Sequence, residues 1–446
     1  MKKTATHCQP VSRRLHGIWP LVWPIMLSNL CVPLLGAVDT AILGHLDSPR
    51  YLGAVAIGAS LISLLYWSFG FLRMGTTSLV SRAVGRRDQN EASQLWLRSA
   101  VLALLLAAGL LALKPWFIEL GMYFMQPETG VTTLAASYSA IRVLSAPATL
   151  LNYTLIGWFI GQQDTRRPLL LVLTANGVNL LLDLVLIVGL KMNSDGAAWA
   201  SVIAEYSALG IGLYLLAGKI DRASLRARWH QCLTRWREYL PLLQVNRHLF
   251  VRTACLLGVF TFFTAQGARM STEIVAANAI LLQFVLLTSH ALDGFAHAAE
   301  ALCGKAVGAN NRAEFIRVVQ GTTALALITA LAISLLFWAG QSVWLALFTE
   351  LPQVLAQASA QFGWVIALPL LTVWAYQLDG IFLGRGATRA MQNIMLLCTV
   401  AVFIPLWWFT QPLGNSGLWL AFCGFNLARS LAMGLVFWGQ QRRLSL

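Results

Sequence analysis

Twelve stretches of mostly apolar residues divide this chain, at 18–43, 53–80, 95–114, 132–158, 167–190, 197–218, 247–268, 274–301, 318–340, 360–384, 390–411 and 416–438. A helix that crosses a bilayer needs about 20 such residues, whereas a strand of a membrane barrel needs about ten in strict alternation. The stretches therefore predict an all-α integral membrane protein with twelve transmembrane helices. Composition supports this choice of solvent. Charged residues make up 11% of the chain and the hydrophobic set 57%, where a soluble domain carries roughly 25% charged residues. A chain this apolar could not cover a soluble fold with polar surface, which excludes an ordinary cytosolic enzyme and a disordered chain. The cysteines Cys8, Cys31, Cys232, Cys255, Cys303, Cys398 and Cys423 are scattered without a CxxC pair. They fit neither a zinc site nor a disulfide framework.

The formal charge is +14. In a soluble protein that excess would suggest nucleic acid; in a membrane protein it sorts the loops, because Lys and Arg gather on the cytoplasmic side. With the amino terminus inside, the inner segments hold Lys2, Lys3, Arg13 and Arg14, then Arg82, Arg86, Arg87 and Arg98, and further groups at 166–167, 219–252, 305–317, 385–389 and 442–443. The outer segments hold Arg50, Lys114, Lys191 and Arg269. The bias recurs loop after loop, so both termini are expected in the cytoplasm, with the protein in a bacterial inner (plasma) membrane. Residues 219–246 read KIDRASLRARWHQCLTRWREYLPLLQVN. Cations alternating with Leu and Trp suit an amphipathic linker on an anionic leaflet. The expected organisation is an amino-terminal lobe at 1–218, this linker at 219–246, and a carboxy-terminal lobe at 247–446.

The lobes repeat each other. An offset of 223, half of 446, lays Ala83-Val84-Gly85 of SRAVGRRDQNEA on Ala306-Val307-Gly308 of GKAVGANNRAEF. It also lays Gly161 and Thr165-Arg166 of GQQDTRRP on Gly384 and Thr388-Arg389 of GRGATRAM. A unit of six spans returns the chain to its starting side. The repeats are thus parallel, and two six-helix bundles related by a pseudo-twofold axis along the membrane normal are expected. That plan serves alternating access. The sequence contains no Walker A motif and no H-E-x-x-H or G-x-S-x-G motif, which argues against ATP hydrolysis and against a membrane enzyme. A secondary transporter driven by an ion gradient, without a cofactor, is the leading reading.

A charge at mid-bilayer costs at least ~2.5–3.5 kcal/mol, so each acid inside a span needs a reason. The main ones are Asp39, Asp183, Glu205, Asp293, Glu300 and Asp379. Asn176, Asn179 and Asp183 are spaced three and four apart, which places them on one face of the fifth helix. A polar stripe on an apolar helix turns toward a cavity or a neighbour. If Asp39 and Asp183 share a low-dielectric pocket, both cannot ionise cheaply, and one would carry a proton; a neutral, hydrogen-bonded structural pair is the alternative. His290, Asp293, His297 and Glu300 also share one face. They span about three turns of a straight helix, too far to enclose one metal ion, so lining of a central cavity, or hydrogen bonding between helices, is expected of them. Tyr66, Trp67, Tyr153, Trp158, Trp374 and Tyr376 are candidates for holding flat organic cations.

The two repeated motifs, PIMLSNLCVPLLGAVDTAILGHL in the first span, NGVNLLLD in the fifth and DGFAHAAEALCGKAVG in the eighth together give the chain a family. It resembles the multidrug and toxic compound extrusion (MATE) transporters, particularly their DinF-like branch, over nearly its whole length. The resemblance implies a monomeric antiporter that exports small cationic or amphipathic organic compounds against H⁺ or Na⁺, with H⁺ expected here. It implies a cation or proton site at Asp39, Asn179 and Asp183. Ser201 stands where the family commonly has Thr, and Pro24 matches a hinge proline of the first helix. Asp379 matches a carboxy-terminal-lobe aspartate of another branch, though the acid that branch uses in the seventh helix is absent from FVRTACLLGVFTFFTAQGAR. A lipid-linked sugar flippase of the same superfamily is the alternative. Flippases place basic residues in the cavity, for which Arg73, Arg142 and Arg429 are the candidates here.

Overall fold

A computed structural model describes residues 18–44, 49–126, 129–220 and 235–443, with side chains throughout except at 32–41, 43–44, 49, 129 and 441–443. The expected surface linker falls mostly at 221–234, outside the described residues, and so does the side chain of Asp39. Every described element is helical. Eleven described helices are long and apolar enough to cross a membrane, from Arg50–Gly85 to Asn415–Gln440. The first span, Trp19–Gly44, adds 26 residues of the same character. The exterior is the apolar part. Leu105, Phe409 and Leu435 are 67%, 79% and 74% exposed, while Arg98, Asp183, Glu300 and Arg429 are buried. Side chains of that kind face outward at low cost only when lipid covers them.

The connection between the third and fourth spans holds a helix, Lys114–Met125, with Pro115 in its first turn. Met122, Phe117 and Ile118 pack on Ala54, Leu61 and Ala135, while Trp116, Tyr123 and Phe124 face outward. At 12 residues it is too short to register as a span. The seventh helix starts earlier than 247. A short turn at Trp236–Tyr239 leads into Leu240–Met270, where Pro241 takes the position in a helix that needs no N–H donor.

The chain packs as two compact units, one of Leu27–Ala254 and one of Met1–Met26 with Cys255–Leu446. Both boundaries fall inside continuous helices, the first and the seventh. Within the second unit, Ile18 and Val22 pack on Leu292, Phe295, Ala330 and Val373. Within the first, Phe250 meets Phe71 edge to face at 5.9 Å, Asn246 lies against Gly75, and Glu238 forms an ion pair with Arg98.

The offset of 223 reappears as geometry. A Cβ on Gly157 would stand 2.5 Å from the carbonyl oxygen of Arg73, and one on Gly380 would run into that of Ala296. Arg73 and Ala296 are themselves 223 apart. Gly161 lies against Val80 and Ser81, and Gly384 against Cys303 and Gly304, the same pairs one repeat later. Small residues let backbones approach closely, and dispersion then holds helices that gain nothing from hydrophobic exclusion in lipid. The caps repeat too. Asp88 accepts from the Glu91 N–H at 2.8 Å, and Asn311 from the Glu314 N–H at 3.0 Å.

Candidate functional site

The amino-terminal candidate site grows from the fifth and sixth spans. Asn179 and Asp183 are 2% and 0% exposed, and the Asn179 amide N–H donates to the Asp183 carboxylate. Directly after Asp183 the helix widens into a π-helical turn, Leu184–Gly189, a distortion that recurs at functional sites. Gly196 lets the sixth span begin close against it, with the Leu186 carbonyl 3.2 Å from where a Cβ would sit. Ile187 packs on Ala197 and Ala198, joined by Val55, Tyr138 and Ile42. This apolar layer lies one turn beyond Asp183.

The first span completes the arrangement through its backbone. Asn176 donates its side-chain N–H to the Cys31 carbonyl at 3.2 Å, so the two helices touch there. Three crossings, an odd number, lie between them, so they run in the same direction. Residue 39 lies about 12 Å beyond residue 31, and residue 183 about 10 Å beyond residue 176, at 1.5 Å per residue. Backbone register therefore brings residue 39 to the depth of Asp183. Ser201 is half-buried on the sixth span, and among the described residues it forms no hydrogen bond to Asn179 or Asp183. Pro24 is buried in the first span, two residues before the unit boundary at Met26.

In the carboxy-terminal half the eighth span carries His290, Asp293, His297 and Glu300. His297 Nδ1 lies 3.9 Å from the fully buried Glu300, whereas Asp293 interacts with Tyr376 of the tenth span. His290 is half-buried. Asp379 forms a buried ion pair with Arg429 of the twelfth span, a pairing across 50 positions that no local spacing announces. The Arg429 guanidinium lies 6.0 Å from the Tyr376 ring centroid, and Tyr376 also hydrogen-bonds Ser289.

A second polar cluster, in the amino-terminal half, was not legible as a cluster in the sequence, although its charged members stand out as ionisable residues within spans. The fourth helix breaks at Val143–Ser145, just before Pro147. In this tightened turn the Ala146 N–H goes to the Val143 carbonyl, and the Arg142 carbonyl instead accepts from Tyr66 Oη at 3.0 Å and Ser145 Oγ at 2.8 Å. Asn152 donates to the Glu205 carboxylate at 2.9 Å and to the Glu205 carbonyl at 3.0 Å. Tyr153 is the common electrostatic neighbour of Glu205, Tyr66, Arg73 and Arg142. Tyr153 and Tyr376 stand 223 apart, as do Tyr66 and Ser289, so the two halves build different chemistry on one scaffold.

Comparison with known proteins agrees with this geometry. The MatE family model matches residues 24–185 and 249–409, once in each half. The chain is 39% identical over 425 residues to DNA damage-inducible protein F of Escherichia coli (strain K12), covering 94% of this chain and 91% of that protein. It is 26% identical to the probable multidrug resistance protein NorM of Bacillus cereus (strain ATCC 10987 / NRS 248), over 93% of this chain and 89% of that one. The fold superposes with a TM-score of 0.85 on an outward-facing multidrug resistance MATE family transporter of the MOP superfamily, at 20% identity, covering 99% and 98% of the two chains. The chain belongs to the MatE family, on the branch of DNA damage-inducible protein F.

Proposed function

We propose that this protein is a proton-coupled antiporter that exports small cationic or amphipathic organic compounds by alternating access. The carrying observation is Asp183: a carboxyl group with no exposure, inside a membrane span, hydrogen-bonded to Asn179 and level with residue 39 of the neighbouring helix. A buried acid of this kind is costly unless it is neutral or neutralised, and a transported proton does that reversibly. Asn179 turns an N–H toward the carboxylate rather than its carbonyl oxygen. That suits an acid alternating between a proton and a hydrogen bond, where a metal cation would be met by oxygens. Asp39, Asn179 and Asp183 are assigned to the proton site, Ser201 to its border, and Pro24 to the bend of the first span.

The names of the relatives, a multidrug resistance protein among them, support organic toxicants as cargo. The inner bias of Lys and Arg supports cytoplasmic termini in a bacterial inner membrane, with lobes at 1–218 and 247–446 joined by the basic 219–246 segment. The Asp379–Arg429 ion pair removes Arg429 from the basic groups that a lipid-linked sugar flippase would use, and leaves Arg73 and Arg142. The test is transport in proteoliposomes under separately imposed pH and Na⁺ gradients. Uphill accumulation is expected with the pH step alone. Accumulation only with the Na⁺ gradient would replace the proton by sodium, and none with either would reject the reading.

A further inference from the structure

The polar cluster around Tyr153 is charge-unbalanced. Arg73 and Arg142 supply two guanidinium groups, and Glu205 supplies one carboxylate. All three lie within spans, Arg73 in the second, Arg142 in the fourth and Glu205 in the sixth. Glu205 is held by Asn152. Neither arginine forms an ion pair among the described residues. Among the described residues Arg73 Nη1 is buried without a hydrogen-bond partner, and Arg142, which donates from Nη1 to Ser145 Oγ at 3.4 Å, leaves its Nε unmade as Arg429 does. A buried donor left unmade is costly, and a guanidinium cannot escape by losing its proton.

The carboxy-terminal half shows the ordinary solution. There Arg429, near the equivalent Tyr376, is paired with Asp379. The amino-terminal cluster lacks that second acid, and both guanidinium groups are electrostatic neighbours of Tyr153. The planar fork of arginine matches the oxygens of a carboxylate or phosphate, and Tyr66 and Tyr153 add ring surface for an apolar body.

We propose that Arg73 and Arg142 form a binding site for the anionic head group, carboxylate or phosphate, of an amphipathic ligand. Glu205 stays hydrogen-bonded to Asn152. This names a substrate class for the exporter and rests on the export reading only for the ligand's route. Binding without any gradient tests it separately, so its failure leaves the transport experiment standing.

The full-length protein in detergent is titrated with 11-(dansylamino)undecanoic acid and with its uncharged methyl ester, reading energy transfer from tryptophan. Dodecyl phosphate and dodecanol serve as a competing pair. Hydrogen bonds to charged groups make the expected preference for the anionic member of at least one pair about tenfold or more. Arg73→Gln and Arg142→Gln are each expected to abolish that preference while leaving ester binding within about twofold, and Arg73→Lys to restore part of it. If Arg142→Gln fails to fold, Arg73→Gln with its lysine counterpart carries the test alone. Preference for the carboxylate pair assigns a carboxylate ligand, and preference for the phosphate pair a phosphorylated lipid or metabolite. Equal binding of charged and uncharged members in both pairs, or a preference that survives Arg73→Gln, overturns the proposal.

Discussion

Asp183→Asn protein is expected to fold, insert and bind substrate, and to lose the ability to move substrate uphill. Asparagine keeps the shape and can still bond Asn179, so the packing around a fully buried side chain is preserved. Only the titrating group is gone. The effect on transport is large because coupling is all or nothing. One proton exchanged per substrate across one pH unit supports about a tenfold concentration ratio, since one unit is 1.36 kcal/mol. Without the acid, the ratio should fall to unity while downhill exchange persists, because cargo and proton share only a conformational equilibrium. Asn179→Ala should act in the same direction more weakly, through loss of a neighbour that orients the carboxylate. Accumulation in vesicles under an imposed pH step measures both, and a tenfold ratio retained by Asp183→Asn would move the coupling centre elsewhere.

Gly380→Ala should be among the most damaging of the small substitutions. Its Cβ would overlap the backbone oxygen of Ala296, and backbone cannot swing aside as a side chain can. Overpacking costs typically about 1–3 kcal/mol, and more where the neighbour cannot give. The tenth and eighth spans carry Asp379, Asp293 and Tyr376, so separating them also disturbs that polar set. Gly363, on the same helix, has nothing within 4 Å of an added Cβ; its replacement by alanine removes a flexible helix residue and should be neutral or mildly stabilising. Thermal unfolding of the purified proteins compares them directly. A clear loss is expected for Gly380→Ala and none for Gly363→Ala, and equal midpoints would mean the helices can part without cost.

The spans, the family and the repeat were legible because each rests on local pattern. Apolar length marks a span, and each of the paired AVG motifs is followed by a helix start that is capped alike, by Asp88 and by Asn311. The stripe of Asn179 and Asp183 was legible for the same reason, since helical period alone places them together. What escaped depends on which faces meet. Arg429 reaches Asp379 across 50 residues, and Asn152 reaches Glu205 across 53. A charge inside a span announces that it needs a partner, but its spacing does not say which. The helix at Lys114–Met125 escaped for another reason: at 12 residues it is shorter than any spanning signal.

The central claim is that a proton leaves the Asp39–Asp183 region when cargo binds. Linkage makes this measurable at equilibrium, because a ligand that favours the deprotonated form must release the proton it displaces. The measurement is proton release, read with a pH indicator in weakly buffered solution, when a transported compound is added to the purified protein. About one proton per protein molecule is predicted for the unmodified protein, and none for Asp183→Asn at matched occupancy of cargo. Undiminished release from Asp183→Asn would contradict the account.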